Sequence, residues 1–257
     1  MTGPHAQGPG LSDRAEAFDL GPQFRSMWAT LDKIGSLPSG GFRRLAWSDA
    51  DSQLRQWFRA EAAQRQMLVE QDKNGNLWAW WGQPGEGAVA TGSHLDSVPD
   101  GGAFDGPLGV VAGFLAVDKL RAGGRTMRRP LAVVCFADEE GGNATLALVV
   151  AAVESAAREA SAAHGVEFHL SEESSTAQVG FDDELRRRLS AVLGQVPQVP
   201  TAAGHDAGIL SAHVPTAMLF VRNRTGVSHS PAERATEDDC VDGTEALARV
   251  LEDLAGP

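Results

Sequence analysis

The spacing of apolar residues along the chain predicts helices that alternate with strands. Apolar positions recur every three to four residues in several stretches, which favours helices at residues 24–34, 49–65, 107–121, 146–163, 181–193, 209–212 and 236–254. Shorter apolar runs predict strands at residues 88–92, 131–137, 166–170 and 215–222. Such alternation is typical of an α/β fold in which a mostly parallel central sheet is flanked by helices.

Three local signals refine this outline. Asn74-Gly75 stands between MLVEQD and LWAWWG, and this dipeptide between apolar runs predicts a hairpin turn. Ser48 precedes the second helix and can cap it with its hydroxyl. Pro107 suits the first position of the next helix, which is apolar nearly all round, so we expect that helix to be buried.

Composition narrows the classes of protein that this chain can represent. Its 257 residues are 42% hydrophobic and 22% charged, as in ordinary globular proteins. A net charge of -12 argues against binding to nucleic acid or to anionic membranes. No apolar run is long enough to span a membrane, the N-terminus lacks signal-peptide features, and Cys135 and Cys240 show no metal-binding spacing. We expect a cytoplasmic protein without nucleic-acid or membrane partners.

Candidate chemistry begins in TGSHLDSVPDGGAFDGPLG, which follows a predicted strand. His94, Asp96 and Asp105 all lie in or beside this glycine-rich loop, and an imidazole with two carboxylates can hold a divalent metal. Asp96 can orient the His94 ring through its second nitrogen. Two alternatives stay open: His94 can be an incidental loop residue, and Asp105 can cap the helix that starts at Pro107.

A second acidic group, Glu139-Glu140, follows another apolar strand. These side chains and Asp138 would repel one another unless a cation neutralises them, although an exposed acidic turn is a common alternative. Beside a metal, Glu140 can coordinate the ion while Glu139 takes a proton from water. Because neighbouring residues on a strand point to opposite faces, an irregular turn is needed to bring both inward.

Two histidines in later loops complete the candidate site. His229, in GVSHSPAE, follows an apolar run and is the best candidate for a last metal ligand. His205, in AAGHDAG, can bind metal, hydrogen-bond a substrate or lie in a solvated loop. The sequence contains no nucleophile elbow, no phosphate-binding loop of the G-x-x-x-x-G-K-S/T type and no Cys-x-x-Cys motif.

Several of these motifs occur together in one known family. GSHLDSVPDGGAFDGPLGVVAG, NGNLWAWWG, the DEEG turn, AGHDAG and VPTAMLFVRNRTGVSHSPAE resemble the allantoate amidohydrolase / N-carbamoyl-L-amino-acid hydrolase family, within the two-metal aminoacylase and carboxypeptidase-G-like superfamily. The resemblance covers residues 22–140 and 165–255. It implies a zinc-exopeptidase-like catalytic domain, a homodimer, and a two-metal centre of Zn²⁺, Mn²⁺, Ni²⁺ or Co²⁺ that hydrolyses a C–N bond of a small ureido or carbamoyl substrate.

The resemblance also implies a role for each candidate residue. By motif, the terminal metal ligands are His94 and His229, the bridging ligand is Asp105, the further ligand is Glu140, the general base is Glu139, the support of the first histidine is Asp96, and the substrate-facing residue is His205.

The chain departs from the family after the acidic turn. Family members continue through EEGSRF to a strand bearing a further ligand in HIEQGP and then a lid of roughly a hundred residues. Here the HIEQGP histidine has no counterpart, although His169 is a weak candidate to replace it. We expect a flexible N-terminus at 1–21, catalytic-domain parts at 22–142 and 174–257, and a lid remnant of one helix and one strand at 143–173.

Two hypotheses follow from the departure. In the first, the chain is an active amidohydrolase that works with a reduced lid, with one or two bound ions. In the second, it is a degenerate, non-catalytic metal-binding relative that lost a ligand and its substrate-binding lid. Under either hypothesis, loss of most of the lid weakens the family homodimer.

Overall fold

The described helices match the predicted ones in number and order, whereas the described strands all lie before residue 137. The computed structural model describes residues 18–140, 144–167, 179–194, 196–200 and 204–256. Their elements, in chain order, are α1 (Leu20–Leu31), α2 (Asp49–Gln64), β1 (Leu68–Gln71), β2 (Leu77–Trp81), β3 (Val89–His94), α3 (Pro107–Ala122), β4 (Leu131–Phe136), α4 (Ala144–His164), α5 (Asp183–Leu193), α6 (Asp206–Leu210) and α7 (Glu237–Ala255).

The described strands form one sheet in the order β1-β2-β4-β3. The hairpin predicted at Asn74-Gly75 is confirmed, because β1 and β2 pair antiparallel on either side of it. The described strands do not form the mostly parallel sheet that was predicted: β2 also pairs antiparallel with β4, and among the described strands only β3 and β4 pair in parallel. The cause is the hairpin, which reverses the chain so that β2 runs against β4.

Helix α3 is the central helix of the core, as its apolar circumference predicts. Val110, Val111, Phe114 and Leu115 are fully buried. The helix lies close to the sheet at Gly109, where an added Cβ would be 2.6 Å from the Cβ of Ser93 on β3. Helices α1 and α7 pack on α3, and the Phe58 ring of α2 contacts the Phe114 ring with centroids 5.0 Å apart.

Side-chain caps fix the ends of several helices. The predicted cap at Ser48 is confirmed, since its hydroxyl accepts a hydrogen bond from the Asp51 amide at 3.3 Å. Thr236 caps α7 in the same way, and three acidic residues in the first turn of α7 favour its N-terminus electrostatically. Helix α1 begins at Leu20, slightly ahead of the expected end of the N-terminal segment, because Asp19 caps it and Leu20 is buried.

Two predicted strands are not found as strands in the described residues. Residues 215–222 are not a strand: Val221 packs near Gly243 of α7, but Phe220 remains 53% exposed. An apolar run indicates burial, whereas a strand also needs a neighbouring backbone for its hydrogen bonds. Of the strand predicted at 166–170, residues 166 and 167 are irregular and the rest, with His169, lies outside the described residues. No helix in the described part of the chain is both long and apolar enough to cross a bilayer.

The close approach of α3 to β3 makes a testable prediction. Gly109→Ala should lower the free energy of unfolding by about 1–3 kcal/mol, because the new methyl group meets the backbone-anchored Cβ of Ser93. Gly208→Ala is the matched control, since a Cβ there meets only Val179 Cγ2 at an ordinary 3.7 Å. Urea denaturation of both variants measures the difference, and equal stabilities would contradict the packing described.

Candidate metal centre

The candidate site lies where the parallel strands β3 and β4 end side by side. His94 is the last residue of β3 and pairs in register with Phe136, the last residue of β4. The carboxyl ends of adjacent parallel strands carry their following loops to the same edge of a sheet. The loop after β3 contributes Asp96 and Asp105, and the turn after β4 contributes Glu139 and Glu140.

The His94 ring is buried and oriented by its neighbours. It is 5% exposed, and its Nδ1 lies 3.1 Å from the main-chain oxygen of Asp96 and 3.5 Å from Asp96 Oδ1. The closest support therefore comes from the Asp96 backbone, with the carboxylate slightly farther away. When Nδ1 donates to that oxygen, Nε2 is left with a free lone pair for a metal.

Asp105 lies between two histidines. Its Oδ1 is 3.6 Å from His94 Nε2, and its Oδ2 is 3.4 Å from His229 Nε2. Asp105 does not cap α3, because the N-cap residue is Gly106 and no side-chain capping bond is found at this helix end. Gly106 has φ +81°, and a Cβ there would be 2.5 Å from His94 Nδ1, so the loop can pass this close to the ring only at a glycine.

Glu140 and His229 extend the cluster on the other side of Asp105. Glu140 Oε2 is 3.3 Å from His229 Nε2, and the Glu140 amide donates to Asp96 Oδ2 at 3.1 Å. One ligand atom from each of His94, Asp105 and Glu140 lies within 4.8 Å of the others. The structure thus brings together all four side chains that the sequence nominated as metal ligands.

Glu139 and Glu140 both face this cluster because the turn before them is irregular. Asp138 has φ +59°, a left-handed conformation that breaks the alternation of side chains along β4. Glu139 Oε2 consequently lies 3.6 Å from His94 Nε2. Its other oxygen, Oε1, accepts from the Asp206 amide at 3.4 Å and is 3.9 Å from His205 Nδ1.

The clustered charges shift the protonation of the groups involved. Burial opposes a charged His94, but the nearby carboxylates of Asp105 and Asp96 outweigh it and raise the His94 pKa well above its usual value. The interaction with His94 in turn lowers the pKa of Asp105, whereas burial raises the pKa of Glu140. This distribution of charge suits a bound cation, which would stabilise every carboxylate in its ionised form.

Two further carboxylates border the centre. Burial and then the charge of Glu139 raise the pKa of Asp206 to about 6, and burial and then Asp105 raise the pKa of Glu233 to about 7. Asp206 Oδ2 and Glu233 Oε2 are buried without a hydrogen bond in the described part of the chain. Sequence reasoning missed Glu233, although its position four residues after His229 in GVSHSPAE was an available signal.

Comparison with known proteins places this geometry in a family. The model of peptidase family M20/M25/M40 matches residues 90–253, well over half of the chain and the whole of the site. The chain belongs to peptidase family M20/M25/M40. Its site residues therefore lie on a scaffold shared with other members of the M20 family.

Curated relatives match part of this chain. An N-carbamoyl-L-amino acid amidohydrolase of Geobacillus stearothermophilus is 38% identical over 113 residues, which cover 43% of this chain and 28% of that relative. An allantoate amidohydrolase of Escherichia coli is 35% identical over 114 residues, with the same two coverages of 43% and 28%. The resemblance predicted from the motifs is confirmed, and each match spans less than a third of the relative.

Solved structures confirm the fold class. An amidase of the hydantoinase/carbamoylase family from Burkholderia vietnamiensis superposes with a TM-score of 0.79 at 19% identity, covering 96% of this chain and 100% of that chain. At this identity the likeness concerns the fold alone, and it supports the α/β architecture in which helices flank the sheet.

Glu233 gives the metal-free protein a predictable pH dependence. Its folded-state pKa of about 7 lies above the ordinary 4.5, so the stability contributed by its protonated form is complete below pH 4.5 and is lost as the pH rises through 7. Glu233→Gln should therefore reduce the fall in the free energy of unfolding between pH 4.5 and 7. Urea denaturation with EDTA present measures it.

The control is Glu86→Gln, which changes an exposed glutamate. It should leave the pH dependence of the wild-type protein unchanged. If the Glu233→Gln and Glu86→Gln variants lose the same stability over this pH range, Glu233 is not buried as described.

Proposed function

We propose that this chain is a metal-dependent amidohydrolase that cleaves a C–N bond of a small ureido or carbamoyl compound. The observation that carries the proposal is the position of Asp105 between His94 and His229, with Glu140 beside them. The names of the relatives supply the substrate class: allantoate and N-carbamoyl-L-amino acids. A ureido or carbamoyl carbonyl is a poor electrophile, which is why a metal centre suits this chemistry.

The separations within the cluster fit a divalent ion. Ligand atoms held about 2.1 Å from a tetrahedral ion lie about 3.4 Å from one another. The contacts of Asp105 with the two histidines and of Glu140 with His229 are 3.3–3.6 Å long. Imidazole and carboxylate donors suit Zn²⁺ and Mn²⁺, and also Ni²⁺ or Co²⁺.

The two sides of the site offer different numbers of ligands. Asp105, Glu140 and His229 can hold one ion with three side chains. A second ion beside His94 would share Asp105 with the first. Among the described residues it would lack the ligand that the family takes from HIEQGP, because that histidine has no counterpart in this sequence. We therefore expect one tightly held ion and a weaker second position.

The chain's own residues define the chemical step. A divalent ion held by Asp105, Glu140 and His229 would supply Lewis-acid chemistry, because it would polarise the substrate carbonyl and make water more acidic. Glu139 accepts a proton from the attacking water as the new C–O bond forms, and passes it to the departing nitrogen as the C–N bond breaks. On its other side the Glu139 carboxylate accepts a hydrogen bond from the Asp206 amide, and His205 Nδ1 lies 3.9 Å away. In this proposal Asp96 supports both His94 and the Glu140 backbone, and His205 hydrogen-bonds the substrate.

The partners that we propose agree with the chemistry of the site and the net charge of the chain. The partner is a small ureido or carbamoyl substrate rather than nucleic acid or a membrane, in keeping with the net charge of -12. We place the protein in the cytoplasm and expect its homodimer to be weaker than the family's, because most of the lid is absent.

A specific observation favours the degenerate alternative. His229 is 52% exposed at its side chain, and the side of the site beside His94 has fewer ligands than the family motif provides. A site that is this open on one side binds substrate and excludes water less well than a covered one. Metal binding without turnover is the outcome that this alternative predicts.

Substitution of the proposed base separates the two hypotheses. Glu139→Gln should lower ammonia release from allantoate or N-carbamoyl amino acids by about 10²–10⁴-fold, because it removes the proton acceptor. Its metal content, measured by mass spectrometry of the loaded protein, should match the wild type. Exposed Glu86→Gln is the matched control and should keep full activity.

Zn²⁺, Mn²⁺, Ni²⁺ and Co²⁺ should each be tested in this assay. Wild-type protein that holds metal but shows no more turnover than Glu139→Gln would establish the degenerate alternative. Wild-type protein that holds no metal would overturn both hypotheses.

A further inference from the structure

Arg44 is buried, and its backbone is hydrogen-bonded to the loop that carries the proposed metal ligands. The residue is 1% exposed, and its guanidinium donates to the carbonyl oxygens of Leu31 at 2.8 Å and Ile34 at 3.0 Å. The guanidinium also lies 3.9 Å from the centre of the Phe42 ring. These contacts fix residues 42–44 to the C-terminal end of α1, where carbonyl groups favour a cation.

The backbone of the same segment holds the loop after β3. The Arg44 amide donates to Ser97 Oγ at 3.0 Å, and the Ser97 amide donates back to the Arg44 carbonyl at 3.1 Å. Phe42 and Gly101 exchange a second pair of backbone hydrogen bonds, at 3.0 and 3.2 Å. Residues 42–44 are therefore hydrogen-bonded to the loop at two positions, Ser97 and Gly101. We call this set of contacts the loop clamp.

The clamp acts on the part of the loop that sets the metal geometry. His94 precedes the clamped stretch and Asp105 follows it, so the path of the loop determines how these two side chains meet. Asp96, next to Ser97, contacts the His94 ring through its carbonyl and the Glu140 amide through Oδ2. The loop contains several glycines and gains little rigidity of its own, so the restraint has to come from outside it.

We propose that Arg44 and Ser97 are positioning residues for the metal centre. Neither touches the proposed ligand atoms: Ser97 fixes Asp96 and through it His94 and Glu140, and Arg44 fixes the segment that holds Ser97. The inference rests on the proposed metal-dependent function, because it concerns the affinity of that site for its ion. It assigns part of the affinity to the N-terminal segment, which lies outside residues 90–253 matched by the family model.

Ser97→Ala tests the clamp with little change in volume. Groups that orient metal ligands typically contribute 10–100-fold to metal affinity, so Ser97→Ala should weaken Mn²⁺ binding about tenfold or more. The matched control is Thr244→Val, which removes another buried hydroxyl bond, from Thr244 Oγ1 to the Cys240 carbonyl at 2.9 Å in α7. Isothermal titration of EDTA-treated full-length protein measures the affinity.

Two further readouts separate positioning from general stability. Amide hydrogen exchange over residues 94–101, measured without metal, should speed up in Ser97→Ala but not in Thr244→Val. Arg44→Lys, which keeps a buried donor, should retain more Mn²⁺ affinity than Arg44→Met.

The outcomes distinguish this inference from the proposed function. Mn²⁺ binding by wild-type protein with an unchanged affinity in Ser97→Ala would overturn the clamp and leave the proposed function standing. An equal loss of affinity in Thr244→Val would also overturn it, because the effect would then follow stability alone. Wild-type protein that binds no Mn²⁺ would overturn the proposed function and this inference with it.

Discussion

Repulsion among carboxylates is the constraint on which the arrangement of this site depends. Asp105, Glu139 and Glu140 converge at the ends of β3 and β4, and the last two side chains are only 13% and 6% exposed. Two unit charges 4 Å apart repel by about 4 kcal/mol at an effective dielectric constant of 20. The interleaved His94 and His229 offset part of this repulsion, and a divalent cation would convert the remainder into attraction.

The backbone around the site is strained in ways that serve this convergence. Asp138 and His229 both have positive φ, at 59° and 54°, which non-glycine residues rarely adopt. Such conformations cost on the order of 1–3 kcal/mol each and persist where neighbours hold them. Just before Asp138, the Ala137 amide donates to Asn76 Oδ1 at 2.9 Å, so the hairpin between β1 and β2 also supports the acidic turn. The hairpin that gives the sheet both parallel and antiparallel pairs therefore also stabilises the site.

The sequence predicted which side chains form the metal-site cluster better than it predicted the contacts that hold them in position. His94, Glu139 and Glu140 follow apolar runs that become parallel strands, so their meeting follows from the general behaviour of α/β sheets. Asp105 could be nominated but not separated from a helix cap until the position of Gly106 was known. The sequence indicated that an irregular turn was needed near Glu139 and Glu140. It did not indicate that Asp138 would adopt the left-handed conformation, because a single backbone angle leaves no periodic pattern in a sequence.

Contacts between distant segments were beyond the reach of pattern alone. The pairing of Arg44 with Ser97 and the burial of Glu233 depend on packing between segments far apart in the chain. The strand predicted at 215–222 failed for a related reason, since apolar content does not reveal whether a backbone partner is present. Tertiary contacts can override the local preference of a segment, and the wrong predictions for this chain fall where such contacts determine the structure.

Anomalous X-ray diffraction from crystals loaded with Zn²⁺ or Mn²⁺ can show whether these side chains bind a metal. We expect an anomalous peak about 2.0–2.2 Å from Asp105 Oδ2, Glu140 Oε2 and His229 Nε2, with any second and weaker peak between His94 and Asp105. If no peak lies beside Asp105 at saturating metal, or if the metal is held only by other residues, the proposed metal centre is wrong.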